Sequence, residues 1–367
     1  MAVLGAGTVG REVVGTLLSD GFDDRFNVAG VAVRDLEKAK ARGIPAELLT
    51  DAPAHLVTDD VDVVVELMGG EEPARTILSA ALGAGLPVVT ANKYLLARHG
   101  AALEAAARAT GAPLRYEAAV MGGTPVLRLI AEDLAGCRVA GLRGIVNGTS
   151  NYILTEMASG GLSYEKALAQ AQAAGYAEAD PTADVEGGDA ADKLVILARI
   201  AFGAWLDRSD LPLRFGEGRP GITGITPEDI AHAADHGLAM KLLASAERAD
   251  TSGAAARGTA DASTGATSVA ASVRPTAVDT MAPLASTAGV RNRIEIETDR
   301  LGWITLEGPG AGGRATASAV LADLAAVYAG RGSTWGSLPP AGTAASRAAD
   351  PASVFDGPSG ARYPVLR

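Results

Sequence analysis

The chain has 367 residues, 48 % of them hydrophobic and 20 % charged, with a formal net charge of −11 and one cysteine. That length supports two domains with separate cores, while the acidic balance excludes surfaces for nucleic acid or anionic membranes, which concentrate Lys and Arg. Cys137 alone excludes a disulfide framework and a cysteine-built metal site, and 45 glycines beside 4 % aromatics point to an α/β protein rich in tight turns.

Met1-Ala-Val-Leu4 reads as a buried strand that runs into Gly5-Ala-Gly7-Thr-Val-Gly10 and then into a helical pattern through Val13, Val14, Leu17 and Leu18. A GxGxxG between strand and helix has the context that dinucleotide binding requires. Gly5 makes the turn, Gly7 lets the backbone approach a pyrophosphate and Gly10 lets helix pack on strand. A second strand, Asn27 to Val33, ends on Arg34 and Asp35. An acid at this strand end holds ribose hydroxyls and a cation suits a 2′-phosphate, so Arg34 favours NADP while Asp35 keeps NAD open. Val61 to Met68 is an apolar run suited to a central parallel strand, followed by Gly69-Gly70 and a helix through Ile77, Leu78 and Leu82. Leu86 to Thr90 is the next strand, ending in Ala91-Asn92-Lys93. A helix to about Thr110, the strand Leu114 to Val120 and the loop Met121 to Pro125 complete a doubly wound plan, with ligands at the carboxyl ends of the strands.

From about Val126 the character changes. A helix to Leu134 and the strand Val139 to Val146 lead into Asn147-Gly-Thr-Ser-Asn151, whose match to a glycosylation acceptor reads as chance. Gly175 to Leu197 then gathers Glu178, Asp180, Asp184, Glu186, Asp189 and Asp192 around one cation, Lys193. Periodicity makes the part from about Asp189 a helix, so Asp189 and Lys193 share a face four residues apart. Glu178 and Asp184 fall in the loop before it and can fold back over its first turn. A lone lysine among carboxylates suits proton transfer to a polar substrate, and an ordinary surface ion pair is the alternative.

His232 and His236 are four apart on an expected helix, with no third metal ligand in view. Asp250 to Ser272 is Ala/Gly/Ser/Thr-rich and reads as a long loop or a frayed edge hairpin. Strands return at Ile294 to Thr298 and Gly302 to Glu307, and Gly308-Pro-Gly-Ala-Gly312 opens a helix from Ala315 to Tyr328. That glycine-rich turn suggests a return to the cofactor. Residues 333–367 are expected to form a disordered, removable tail. Met1 stands inside the first strand, and the most apolar run, Leu194 to Leu206, is interrupted by Arg199 and too short for a bilayer. A soluble cytoplasmic protein without membrane or nucleic-acid partners is expected.

Six segments in order, GAGTVG at 5–10, VVTANKYLLA at 88–97, YEAAVMGGTPV at 116–126, GIVNGTSNYILTEM at 144–157, GYAEADPTADVEGGDAADKL at 175–194 and GPGAGGRATASAV at 308–320, resemble homoserine dehydrogenase. The resemblance runs from about Ala2 to Ala329. It implies a Rossmann-type doubly wound parallel sheet at 1–125, a second α+β catalytic and dimerisation domain at 126–307 and a helix at 308–332 returning to the cofactor domain. It further implies NAD(P)-dependent interconversion of L-aspartate 4-semialdehyde and L-homoserine by a homodimer or homotetramer. By the same resemblance Lys193 transfers the proton and Glu178 binds substrate, Asp184 and Asp189 help hold substrate and lysine, and Thr149 and Tyr176 line their pocket. Thr8, Val9, Arg34, Lys93 and Gly310 match cofactor-side positions, and backbone oxygens of Glu117, Val120, Gly122 and Thr124 would bind Na+. Ala282 stands where the family usually has histidine, and Arg291-Asn-Arg293 replaces a more apolar segment. The 35 residues after Gly332 are too few for the regulatory ACT domain of many bacterial members. An oxidoreductase for another small aldehyde, and a nucleotide sensor in which the Lys193 cluster is inert, are the competing readings.

Overall fold

A computed structural model describes residues 1–19, 26–58, 60–214, 218–249, 268–344, 346–347 and 351–367. The chain divides into two compact units, Met1–Leu134 with Ala311–Ala341, and Ala135–Gly310 with Gly342–Arg367.

The first unit is built on a parallel sheet of β1 (Ala2–Leu4), β2 (Gly30–Ala32), β3 (Leu49–Thr50), β4 (Val64–Glu66), β5 (Val88–Thr90) and β6 (Leu114–Arg115), in the order β3-β2-β1-β4-β5-β6. Both faces are covered, so the strands carry buried valines: Val3, Val31, Val65 and Val89 pack with Val13 and Val14 of the helix Thr8–Leu17 and with Val320 and Leu324 of the helix Gly313–Tyr328. The chain order reverses between β1 and β4, which opens the crevice where this topology binds ligands. The helix Lys93–Thr110 follows β5, capped by the Asn92 side chain on Leu95 N at 3.0 Å and closed by Gly111 in left-handed backbone.

The last strand of this sheet is shorter than its apolar pattern suggests. The pattern runs to Val120, but pairing stops at Arg115 because the next backbone donors go to side chains: Tyr116 N to Thr334 Oγ1 at 2.9 Å and Glu117 N to Asp323 Oδ2 at 2.8 Å. The first unit also keeps Val126–Leu134, which the sequence assigns to the second domain. The Glu117 carboxylate accepts from Leu127 N at 2.9 Å and Arg128 N at 2.8 Å and holds the segment there. Instead of one regular helix, this stretch is a turn at Val126–Arg128 followed by a wider π turn at Leu129–Asp133.

In the second unit β7 (Val139–Ile145), β9 (Leu238–Arg248), β10 (Val269–Asp279), β11 (Arg291–Thr298), β12 (Gly302–Pro309), β15 (Val354–Asp356) and β16 (Arg362–Leu366) form a mixed sheet in the order β12-β11-β7-β9-β10-β16-β15. Off that path β14 (Ser346–Arg347) pairs with β10, and β8 (Ala204–Leu206) pairs separately with β13 (Gly342–Ala344). Helices Gly148–Gly160 and Gly188–Phe202 belong to this unit. Arg291 and Arg293 both pair with Glu307 across β11 and β12, so the polar replacement in β11 is matched by its neighbour.

Two expectations fail here. Of the reading of 250–272 as a long loop or a frayed edge hairpin, the frayed edge fails: Val269–Ser272 open β10, an eleven-residue strand that pairs with eleven-residue β9 along its whole length inside the sheet. Residues 250–267 themselves lie outside the described residues. Nor are the described parts of 333–367 a disordered tail. Thr334 N donates to Leu114 O at 3.1 Å, Leu114 N to Ser333 Oγ at 3.0 Å and Arg115 Nη1 to Gly332 O at 2.7 Å, so this segment runs along β6, and Trp335 is buried. Further on, β16 adds to β10 in parallel, and buried Asp229 accepts from Tyr363 Oη at 2.8 Å, Ser359 Oγ at 2.7 Å and Ser359 N at 3.1 Å. The physical reason is anchoring: local composition is poor in core formers, but a few polar and aromatic groups find buried partners far away in sequence.

Lys241 on β9 is buried among neutral acceptors, Thr287 O at 2.6 Å and Asn151 Oδ1 at 3.3 Å, and burial pushes its ammonium down to about 8. The folded state therefore holds this proton less tightly than the unfolded chain, and between pH 8 and the unfolded lysine value unfolding takes up a proton. Stability from this group is lowest below pH 8 and rises through that window, by about 3 kcal/mol at most. Urea midpoints of the wild type and Lys241→Met at pH 7.5, 8.5 and 9.5 are expected to shift in favour of the wild type as pH rises. A pH-independent difference would contradict the sign.

Candidate functional site

In the first unit the turn after β1 has the predicted construction. Gly5 has φ 103°, and a Cβ at Gly10 would stand 2.0 Å from the Gly5 carbonyl oxygen, so strand and helix meet only because both are glycine. Thr8 and Val9 begin the helix Thr8–Leu17, and a Cβ at Gly7 would meet nothing within 4 Å, which leaves that backbone open to a ligand. A cavity of about 750 Å³ borders this turn, lined by Gly5, Gly7, Arg34, Asp35, Lys38, Arg42 and the Leu67–Gly69 segment among others.

At the end of β2 the two charged residues have different employment. Asp35 is the N-cap of the helix Leu36–Ala41, its Oδ1 accepting from Lys38 N at 2.9 Å. Exposed Arg34 lines the cavity together with Lys38 and Arg42, so three cations and an engaged acid face this part of it. Lys93 is the first residue of the helix after β5.

The positions read as cation ligands also lie in the first unit. Glu117, Val120, Gly122 and Thr124 are all buried, and burial, reinforced by the Asp323 charge, pushes the Glu117 carboxyl up to about 7. Met121 and Gly122 take left-handed backbone, at φ 55° and 52°. Thr124 Oγ1 is buried without a hydrogen-bond partner among the described residues. Gly310, by contrast, belongs to the second unit, where a Cβ would fall 2.0 Å from the amide of buried Asn292. Both polar atoms of that amide lack a partner among the described residues.

The acidic stretch of the second unit resolves into distinct pairs. Lys193 Nζ donates to Val146 O at 2.6 Å and to Asp189 Oδ2 at 2.8 Å. The two side chains are 9 % and 11 % exposed, so the helix-surface alternative is excluded. Asp184, on the short helix Thr182–Val185, joins them through Asn147: one Asn147 Nδ2 donates to Asp184 Oδ1 at 2.7 Å and Asp189 Oδ2 at 2.8 Å. Burial and the Asp189 charge push the Asp184 carboxyl above its ordinary value. Thr149 Oγ1 donates to Tyr176 O at 2.8 Å, and the Tyr176 ring leans on Tyr152 at 5.0 Å.

Other members of the stretch go elsewhere. Asp192 pairs with Arg208 at 2.6 Å, and Asp180 accepts from Thr182 Oγ1 at 2.6 Å. Glu178 is exposed, its backbone carbonyl accepting from Gln172, and among the described residues no hydrogen bond or ion pair joins its carboxylate to Lys193. The residue that sequence reasoning missed is Asn147. Its Oδ1 caps the helix Gly148–Gly160 by accepting from Ser150 N at 2.8 Å while its amide bridges two acids. An Asn three residues before a Ser, at a strand-to-helix boundary, was the available signal. His232 and His236 stack instead with Phe355, at centroid distances of 5.2 and 5.8 Å, and among the described residues no His, Cys, Asp and Glu group could hold a metal. No helix of the described residues is long and apolar enough to cross a membrane.

Comparison with known proteins agrees with both halves. A family model described as homoserine dehydrogenase matches residues 125–325, and one described as homoserine dehydrogenase, NAD binding domain, matches residues 5–117. Homoserine dehydrogenase of Mycobacterium tuberculosis is 44 % identical over 347 residues, which is 93 % of this chain and 74 % of that protein. That of Corynebacterium glutamicum is 42 % identical, covering 92 % and 76 %. Among solved structures, a homoserine dehydrogenase from Thiobacillus denitrificans superposes with a TM-score of 0.80 at 37 % identity, covering 92 % of this chain and 76 % of that one. A hyperthermophilic archaeal homoserine dehydrogenase in complex with NADPH does so with a TM-score of 0.70 at 26 % identity, covering 90 % and 97 %.

Proposed function

The chain belongs to the homoserine dehydrogenase family of NAD(P)-dependent oxidoreductases, and from that premise we propose that Lys193 is the residue that moves the proton in the interconversion of L-aspartate 4-semialdehyde and L-homoserine. The observation that carries the assignment is the donor count at its ammonium. Of three N–H groups, one is committed to Val146 O and one to Asp189, which leaves the third for a substrate oxygen.

When bound, the nicotinamide cofactor supplies or receives the hydride. As the aldehyde carbon is reduced, charge grows on its oxygen, and the Lys193 ammonium stabilises that charge and then delivers the proton. In oxidation the same nitrogen takes the proton back. Asn147 ties Asp184 to Asp189, so Asp189 orients the ammonium while half-buried Asp184 offers an acceptor to substrate. Glu178 is exposed and able to receive the substrate ammonium, and Thr149 and Tyr176 form the neighbouring wall. Homoserine-dependent reduction of NADP, followed at the nicotinamide absorbance band, tests the reading. A chain that binds NADP but gives no homoserine-dependent change would overturn it and leave an oxidoreductase for another small aldehyde or a nucleotide sensor, which other aldehyde substrates in the same assay would separate.

In the cofactor half we favour NADP. Asp35 is occupied as a helix cap, and Arg34, Lys38 and Arg42 offer a 2′-phosphate three cations. Arg34→Ala is expected to raise the KM for NADP on the order of ten- to a hundredfold and to change that for NAD much less. Equal effects on both would show that Arg34 only attracts negative charge. A Na+ site at the backbone oxygens of Glu117, Val120, Gly122 and Thr124 belongs to the same reading, supported by the burial of all four residues and by the unpartnered Thr124 hydroxyl in that segment. Association into a homodimer or homotetramer is supported by apolar side chains exposed on the second unit, Met281, Leu301 and Trp303.

A further inference from the structure

Glu66 closes β4 with a carboxyl group that has no exposed surface. Its hydrogen-bond partners among the described residues are neutral. Oε1 accepts from Met68 N at 2.8 Å, Gly69 N at 3.0 Å and, at 3.5 Å, Asn92 Nδ2, while Oε2 accepts from Thr90 Oγ1 at 2.6 Å. Thr90 in turn accepts from Asn92 N at 3.0 Å, and Asn92 Nδ2 donates to Gly70 O at 2.8 Å. The carboxylate thus ties together the loops that leave two neighbouring strands. The loop after β4 supplies Leu67, Met68 and Gly69 to the dinucleotide cavity, and the loop after β5 ends in Asn92, the cap of the helix that begins at Lys93.

We propose that Glu66 is a positioning residue of the cofactor half, its carboxylate locking the Leu67–Gly70 wall of the cavity and the start of the Lys93 helix into one geometry. An acid is needed for a reason of donor and acceptor count. A carboxylate accepts from the two backbone N–H groups with one oxygen and from the Thr90 hydroxyl with the other, whereas the isosteric amide of glutamine has one acceptor oxygen: its NH2 faces either the backbone N–H groups or Thr90, whose hydroxyl must then accept and loses the acceptor for its own proton. Burial pushes this carboxyl above its ordinary value, and the converging donors offset only part of that. Misplacement of the wall weakens dinucleotide binding, since the backbone that must meet the ligand is no longer held before it arrives.

The inference rests on the dinucleotide cavity of the first unit, so the wild-type chain must bind NADPH, read by nucleotide fluorescence; if it does not, that reading fails and Glu66 is not at issue. Given binding, Glu66→Gln is expected to weaken NADPH binding about tenfold and raise its KM in parallel, with the KM for homoserine within about twofold. Unchanged NADPH binding, or equal shifts in both KM values, would overturn the proposal. If Glu66→Gln does not fold, Thr90→Val removes one of the bonds and should still raise the KM for NADPH a few-fold without touching that for homoserine. Failure of both variants to fold would make Glu66 a determinant of folding instead and sink the assignment.

Discussion

Lys193→Ala is expected to lose on the order of 10²–10⁴ in turnover in both directions, the range typical for removal of a positioned general acid or base. The case rests on burial as well as reach. Lys193 and Asp189 lie largely out of water 2.8 Å apart, and Asn147 holds a second, half-buried acid against the same pair. Removing the lysine leaves two carboxylates near each other without their cation, which costs stability as well as catalysis. NADPH binding belongs to the other unit and should survive, so retained binding with lost turnover separates a catalytic defect from a collapsed fold. Lys93, at the end of a strand of the first unit, is the rival, and Lys93→Ala should act mainly through the cofactor. Oxidation of homoserine releases a proton, so its equilibrium moves toward the aldehyde at alkaline pH in the wild type and in Lys193→Ala alike, and only the rates are expected to differ. If Lys193→Ala keeps near-normal turnover while Lys93→Ala loses it, the acidic stretch is a binding feature only.

Trp335→Ala is expected to cost about 3–5 kcal/mol, read as a lower urea midpoint, because a buried indole is replaced by a void. Trp335 is 4 % exposed, packs 6.4 Å from the Tyr116 ring and lies under the Arg108 guanidinium at 5.0 Å. Its segment also occupies backbone groups of β6 that would otherwise form a bare sheet edge. A chain ending at Gly332 should fare worse still. It loses this strip and also β16 on β10 and the Tyr363 and Ser359 bonds to Asp229, leaving that carboxylate buried with fewer donors. Such a truncation with wild-type stability would show that residues 333–367 are dispensable after all.

The contrast between these two regions says what was readable in the sequence. GAGTVG, the valine-rich strands and the Asp189–Lys193 spacing are local signals: each fixes backbone or face within a few residues, and the structure repeats them. What escaped depends on partners far along the chain. Nothing near Tyr116 announces that its backbone N–H goes to Thr334, and nothing near Ser359 or Tyr363 announces Asp229, so a composition that looks like tail becomes sheet. Within the acidic stretch, sequence counts six acids but cannot apportion them; Arg208 takes Asp192, and Thr182 takes Asp180. Asn147 was hidden by a coincidental motif, although its capping position was visible.

The first unit is made of two stretches of chain, and this bears on the order in which the protein can mature during synthesis. Arg115 is buried against Asp323, 208 positions later, and donates to the Gly332 carbonyl beyond it. At about 5–20 residues per second the ribosome needs roughly 10–40 s to deliver that acid after the arginine. Until then the nascent nucleotide-binding half carries a cation meant for its interior and lacks the helix that covers one face of its sheet. Closing so long a loop also weights the molecule toward slow, non-local folding. The second unit, encoded mostly between the two stretches, is synthesised almost entire before its predecessor can be finished.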